Sequence, residues 1–200
     1  HVYWFQNDLA KRTNEFMRRE IDAVAAAGLE TTYVETIWWA EGDEEGQPGR
    51  DFSHGLGSFA ENRTKWPMGF RALSDHVHAR GMQFGVWFEI ERVDIRTANR
   101  LRNPWKPEWI VQQKGYPCRS WCQHAFMLCL GVPAAREWAL ENLLWAVKEY
   151  AIDYIMFDSN EWAVCDDPSH GHGSGDGEWA QTQGFYWVMR ELRAAHPDLM

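Results

Sequence analysis

Short apolar runs alternate along this chain with amphipathic stretches closed by glycine or polar punctuation, and that alternation fixes the class of fold. "HVYWF" (1–5) reads as a strand. "TNEFMRREIDAVAAAG" (13–28) reads as a helix, with Phe16, Ile21, Val24 and Ala27 on one face and Gly28 as a stop. "TTYVETIWW" (31–39) is the next strand, "GFRALSDHVHARG" (69–81) the next helix and "MQFGVWFEIE" (82–91) a third strand. "MLCLG" (127–131) reads as a short extended piece, and "PAAREWALENLLWAVKEY" (133–150) as a helix with proline at its start. The run 154–157 is another strand, and "EWAQTQGFYWVMRELRAAH" (178–196) another helix. Helices between strands act as crossovers, so the strands are expected to run parallel.

An open doubly wound sheet and a closed barrel both satisfy that pattern. No glycine-rich phosphate loop follows the first strand, which argues against a nucleotide-binding sheet. Acids and tryptophans follow the strands instead: Glu35 and Trp38, then Trp87, Glu89 and Glu91, then Asp158 and Asn160. In a barrel the strand C-termini share one rim, and these groups would converge on one pocket. The expected fold is therefore α/β, a (β/α)8 TIM barrel present as an N-terminal partial barrel. Residues 1–200 form one partial catalytic domain on this reading, truncated at both ends. The absence of an initiator methionine and the stop after "AAHPDL", where a strand is due, motivate the truncation.

Composition narrows the partners. A formal charge of −9 opposes nucleic-acid binding, which needs clustered Lys and Arg. No window is long and apolar enough for a transmembrane helix, so no membrane partner is expected. Thirteen tryptophans are a heavy load for 200 residues. Trp38, Trp39, Trp66, Trp87, Trp121 and Trp162 fall near expected strand ends or in loops, where flat rings with a polar edge suit sugar faces as well as ordinary packing. The four cysteines, Cys118, Cys122, Cys129 and Cys165, make no disulfide framework, and reduced thiols fit a cytoplasmic setting. The loops 40–66 and 163–177 are rich in glycine and polar residues. Within the second, Asp166, Asp167, His170 and His172 stand close together, yet loops of this composition are ordinarily just solvated, and no metal is expected.

A carboxylate where an apolar strand emerges onto a tryptophan-rich rim suits glycoside hydrolysis. There, two carboxyl groups flank the scissile bond, and in retaining enzymes one attacks the anomeric carbon. Such an Asp must stay ionised, and Asn160 or a sugar hydroxyl can donate to it. A strand-end Asp that merely caps the next segment is the plain alternative for Asp158.

The sequence resembles the melibiase-like α-galactosidases. "GMQFGVWFEIERV" (81–93) is similar to their "GMKFGLWFEPEMV", "IDYIMFDSN" (152–160) to "IDYIKWDMN", and "KWPMGFRALSDHVHARG" (65–81) to "KFPNGLKGLADKVHALG". "LCLGVPAAREWALENL" (128–143) resembles the "LDLSRPEVRDYL" run, and 184–200 the stretch before "ENCSGGG". The resemblance implies a (β/α)8 barrel that hydrolyses α-linked galactosides with retention, without a cofactor. It implies Asp158 as nucleophile, with the acid/base Asp expected beyond the end of this chain. By the same matching, Trp87 lines the sugar subsite, Asn160 lies beside the nucleophile, and Glu89 and Glu91 match the two acids of the family's Phe-Glu-Pro-Glu.

This chain also departs from the family. Where the family has "LDDGW", whose two Asp grip sugar hydroxyls, it carries Glu35-Thr36-Ile37-Trp38. Where the family has a Lys two residues before the nucleophile it carries Met156, which cannot donate a hydrogen bond. The expectation is a retaining α-glycosidase with an oligosaccharide or glycoside substrate and a glycon preference moved away from galactose. Glu35, Thr36, Trp38, Trp87, Glu89, Met156 and Asn160 shape its subsite, and the full-length protein has room for an oligomer. A glycosyl-transferring relative, a non-catalytic carbohydrate-binding barrel and a metal-dependent barrel hydrolase remain the alternatives.

Overall fold

The computed structural model describes residues 14–34, 39–40, 55–64, 66–95, 103–120, 124–157 and 164–200. The expected strand at 1–5 lies outside them. Helix α1 (Asn14–Ala26) leads to strand β1 (Thr31–Val34), helix α2 (Arg71–His78) and strand β2 (Gln83–Phe88). An excursion of short strands follows: β3 (Arg92–Asp94), β4 (Gln112–Gln113), β5 (Tyr116–Pro117) and β6 (Ala125–Met127). Helix α3 (Pro133–Tyr150), strand β7 (Tyr154–Phe157) and helix α4 (Gly177–Ala195) complete the order.

The main sheet has the order β1-β2-β7, and both pairings are parallel. α2 is the crossover from β1 to β2, and α3 the crossover from β2 to β7, as the alternation requires. The fold is α/β. Register pairs Val34 with Val86, Val86 with Ile155, Trp87 with Met156 and Phe88 with Phe157. Since side chains alternate, Phe84, Val86 and Phe88 share one face of β2, and Gly85 and Trp87 the other. The first face meets the helical layer: Phe84 lies edge-on to Phe70 at 5.4 Å, and Phe157 edge-on to Phe185 of α4 at 5.9 Å.

Of the six tryptophans that suit either sugar faces or ordinary packing, the three among the described residues, Trp39, Trp66 and Trp87, are all buried in the core. Trp39 and Trp66 are each 1% exposed, and Trp39 stacks on Phe70 at 5.2 Å. Trp39 Nε1 donates to the Trp87 carbonyl at 3.0 Å, and Trp66 Nε1 donates to the Trp39 carbonyl at 3.0 Å. The indole N–H, which made these residues look suited to a wet rim, is satisfied inside the protein.

The excursion accounts for the other departures. The expected strand 82–91 ends at Phe88, and residues 92–94 pair antiparallel with β6. The piece expected at 127–131 is therefore the end of that antiparallel ribbon, followed by a turn into α3. β4 and β5 form a hairpin whose turn residues, Lys114 and Gly115, both have positive φ. α3 ends at Ala151 with φ 48°, a left-handed position that glycine usually takes, so no stop signal stands in the sequence there.

Candidate active site

The carboxyl end of the sheet gathers an indole and two buried acids. Trp87 is 3% exposed and sits beside Met156 of β7. Two residues further, Glu89 is 2% exposed, and Glu91 is 1% exposed. The chain turns here because residues 89–91 leave the strand before β3 starts, which brings Arg92 back over Glu89. Arg92 Nη2 donates to Glu89 Oε2 at 2.7 Å, and its Nε donates to Oε1, so the guanidinium meets the carboxylate with both prongs. Arg92 Nη1 also donates to Ser120 Oγ at 3.2 Å, which ties the pair to the strand excursion.

Glu91 has a different environment. Its Oε2 accepts from the Ile90 N–H at 3.0 Å. Burial, followed by the nearby negative charge of Glu89, pushes its pKa from an ordinary 4.5 up to about 8. The two neighbouring acids thus differ in state at neutral pH. Glu89 is an ion-paired carboxylate, and Glu91 is largely a neutral acid able to donate a proton or a hydrogen bond. Sequence reasoning named both but missed Arg92; the i,i+3 spacing of Glu89 and Arg92 was the available signal.

Of the expected site residues, the structure brings Trp87, Met156 and Glu89 to this end of the sheet. Glu89 arrives with its oxygens closed by Arg92, which makes it a positioning group for the turn. Glu35, Thr36, Trp38, Asp158 and Asn160 lie outside the described residues, as do Trp121 and Trp162. Asp158 directly follows Phe157, the last residue of β7.

The acids of the 163–177 loop are used locally. Asp166 Oδ2 accepts from the Lys114 N–H at 2.7 Å, and Asp167 Oδ1 accepts from the Ser169 N–H at 2.9 Å. Among the described residues, the side chains close enough to hold an ion together are Cys129, Cys165, His170 and His172. That set differs from the acids and histidines grouped by sequence.

A family model described as Melibiase matches residues 11–200. The chain belongs to the Melibiase family. It is 26% identical over 200 residues to an alpha-galactosidase of Escherichia coli, covering 100% of this chain and 26% of that one. It is 24% identical over 185 residues to alpha-galactosidase Mel36A of Lactobacillus acidophilus, covering 90% of this chain and 23% of the relative. The chain thus spans about a quarter of the length of the curated relatives it matches. Among solved structures it is similar to GH36 alpha-galactosidase AgaA A355E D478A of Geobacillus stearothermophilus in complex with stachyose. That match has a TM-score of 0.71 at 20% identity, over 94% of this chain and 25% of that one. The Thermus thermophilus alpha-galactosidase TtGalA, in complex with stachyose, gives a TM-score of 0.66 at 21% identity, over 96% and 37% of the two chains. At such identities the structural likeness speaks for the fold.

Proposed function

We propose that this chain is the N-terminal part of a (β/α)8 barrel in a retaining α-glycosidase, with Asp158 as the nucleophile. The observation that carries the reading is the β2–β7 register. It sets Trp87 beside Met156 at the carboxyl end of the parallel strands, the end at which open and closed α/β folds bind ligands. Asp158 follows Met156 by two residues in the sequence, and the resemblance of "IDYIMFDSN" to the family's "IDYIKWDMN" supports it as the nucleophile. Family membership and the α-galactosidase names of the relatives support glycoside chemistry, and the stachyose-bound neighbours support an oligosaccharide substrate.

In this mechanism an Asp158 oxygen attacks the anomeric carbon while the bond from that carbon to the leaving oxygen breaks. An acid outside this chain protonates the leaving oxygen. A water molecule then attacks the same carbon, gives its proton to that group and frees Asp158, so the configuration is retained. Trp87, buried at the carboxyl end of the strands, packs beneath the subsite as its floor, and Glu35, Thr36, Trp38 and Asn160 supply polar contacts to the sugar's hydroxyls. Met156 in the family's lysine position removes a cationic donor. A charge-assisted hydrogen bond is worth about 1.5–3 kcal/mol, so the glycon preference moves away from galactose.

Azide rescue tests the assignment on the full-length protein. Asp158→Gly should lose turnover of an activated α-glycoside that the wild type hydrolyses, and added azide should restore it with release of the β-glycosyl azide. Turnover by Asp158→Gly without azide, at the wild-type rate, overturns the assignment.

A further inference from the structure

Two cysteines and two histidines meet in a corner that the glycosidase mechanism does not use. Cys129 and Cys165 are fully buried, and His170 is 6% exposed. Cys129 Sγ lies 3.3 Å from His172 Nε2, and Cys165 Sγ lies 3.3 Å from His170 Nδ1. The four ligand atoms all fall within 4.8 Å of one another. For zinc with bonds of about 2.3 Å to sulfur and 2.0–2.1 Å to nitrogen, neighbouring S and N vertices of a tetrahedron stand about 3.5 Å apart.

We propose that Cys129, Cys165, His170 and His172 form a structural zinc(II) site that clamps the loop after β7 to the segment between β6 and α3.

The surroundings match such a site. His172 Nδ1 donates to the Gly173 carbonyl at 2.9 Å, which leaves the Nε2 lone pair aimed at the thiols. His170 turns Nδ1 inward, and its Nε2 lies 3.8 Å from Asp167 Oδ2, so a carboxylate backs the second imidazole. The N–H groups of Gln112, at 3.5 Å, and of Asp167 are directed at Cys165 Sγ, as thiolate sulfur requires. Glycine gives the clamp its closeness. A Cβ at Gly131 would stand 2.8 Å from the His172 ring and 3.3 Å from Cys129 Sγ, and one at Gly177 only 2.0 Å from the Cys165 carbonyl oxygen. Gly171, with φ +83°, sits between the two histidines and reverses the chain so that both rings face inward. Four protein ligands fill a tetrahedron and leave no position for substrate, which makes the ion a staple. Cys165 lies on the segment that leads away from Asp158, so the staple anchors that segment's far end.

The test uses full-length protein, purified without a histidine tag from cells grown with zinc. Elemental analysis should find zinc bound one to one. Cys165→Ser and His172→Gln should lose it, while Cys118→Ser, which alters a nearby thiol outside the set, should keep it. Chelation should lower the unfolding temperature of the wild type and leave that of Cys165→Ser unchanged. Should those variants fail to fold, cobalt(II) added to the chelated wild type decides: intense visible bands of tetrahedral, thiolate-bound cobalt support the site. Wild-type protein free of metal, a Cys129–Cys165 disulfide in the native protein, or cobalt spectra without thiolate bands would overturn it.

Discussion

The two ends of the parallel sheet handle their charged groups differently. At the amino end, Asp153 precedes β7, and its Oδ2 accepts from the Phe84 N–H at 2.8 Å and lies 2.7 Å from His78 Nε2. That carboxylate joins β7, β2 and the end of α2, and about a third of it remains exposed. At the carboxyl end the acids are buried: Glu89 is closed by Arg92, and Glu91 is kept protonated by burial. A half-wet acid can be lost at small cost, whereas buried acids have stability and protonation state bound together. The comparison teaches that the carboxyl end is built at an energetic cost that packing alone does not require. Such an outlay fits a site.

Removing Arg92 should break the comparison most severely. Arg92→Met leaves Glu89 buried without its partner, and breaking a buried pair costs about 3–5 kcal/mol. Denaturant unfolding should show this loss, with much of it recovered in the Glu89→Gln/Arg92→Met double variant. Unchanged unfolding in the single variant would mean that the ion pair does not hold the turn.

Glu91 sharpens the contrast through pH. Its folded pKa, about 8, lies above its ordinary 4.5, so the folded state holds a proton that the unfolded chain has released. Stability from this group is present below pH 4.5 and falls as pH rises toward 8. Glu91→Gln should flatten that fall, by up to a few kcal/mol across the window. Parallel stability curves for the variant and wild type between these limits would contradict the assignment.

The smallest effect belongs to the amino end. Asp153→Ala should destabilise by about 1 kcal/mol, read as a shift in thermal midpoint, and leave turnover unchanged. A large loss of turnover would make the two ends functionally alike.

Much of the sheet was legible because α2 closes on Gly81 and α3 opens on Pro133, signals carried by single residues. The run 127–131 was not, since a short apolar stretch does not state its partner, and here the chain doubles back to pair with β3. The roles of Trp39 and Trp66 stayed open in the sequence because a strand-end indole looks the same whether its N–H meets water or, as here, a carbonyl. The Cys129 corner was hidden by distance along the chain. Its partners lie beyond α3 and β7, and only folding brings them together. Motif similarity pointed to Trp87 and Met156, which the register sets side by side, while Arg92, which decides what Glu89 can do, carried no motif of its own.

The central claim is that Asp158 bonds to the anomeric carbon of a bound sugar. Peptide mass mapping of the full-length protein, after exposure to a fluoro-sugar inactivator of α-configuration, tests it most directly. The account predicts one glycosyl adduct, on the peptide bearing Asp158, and none in Asp158→Asn. An adduct on any other carboxylate, with Asp158→Asn still turning over substrate, would contradict it.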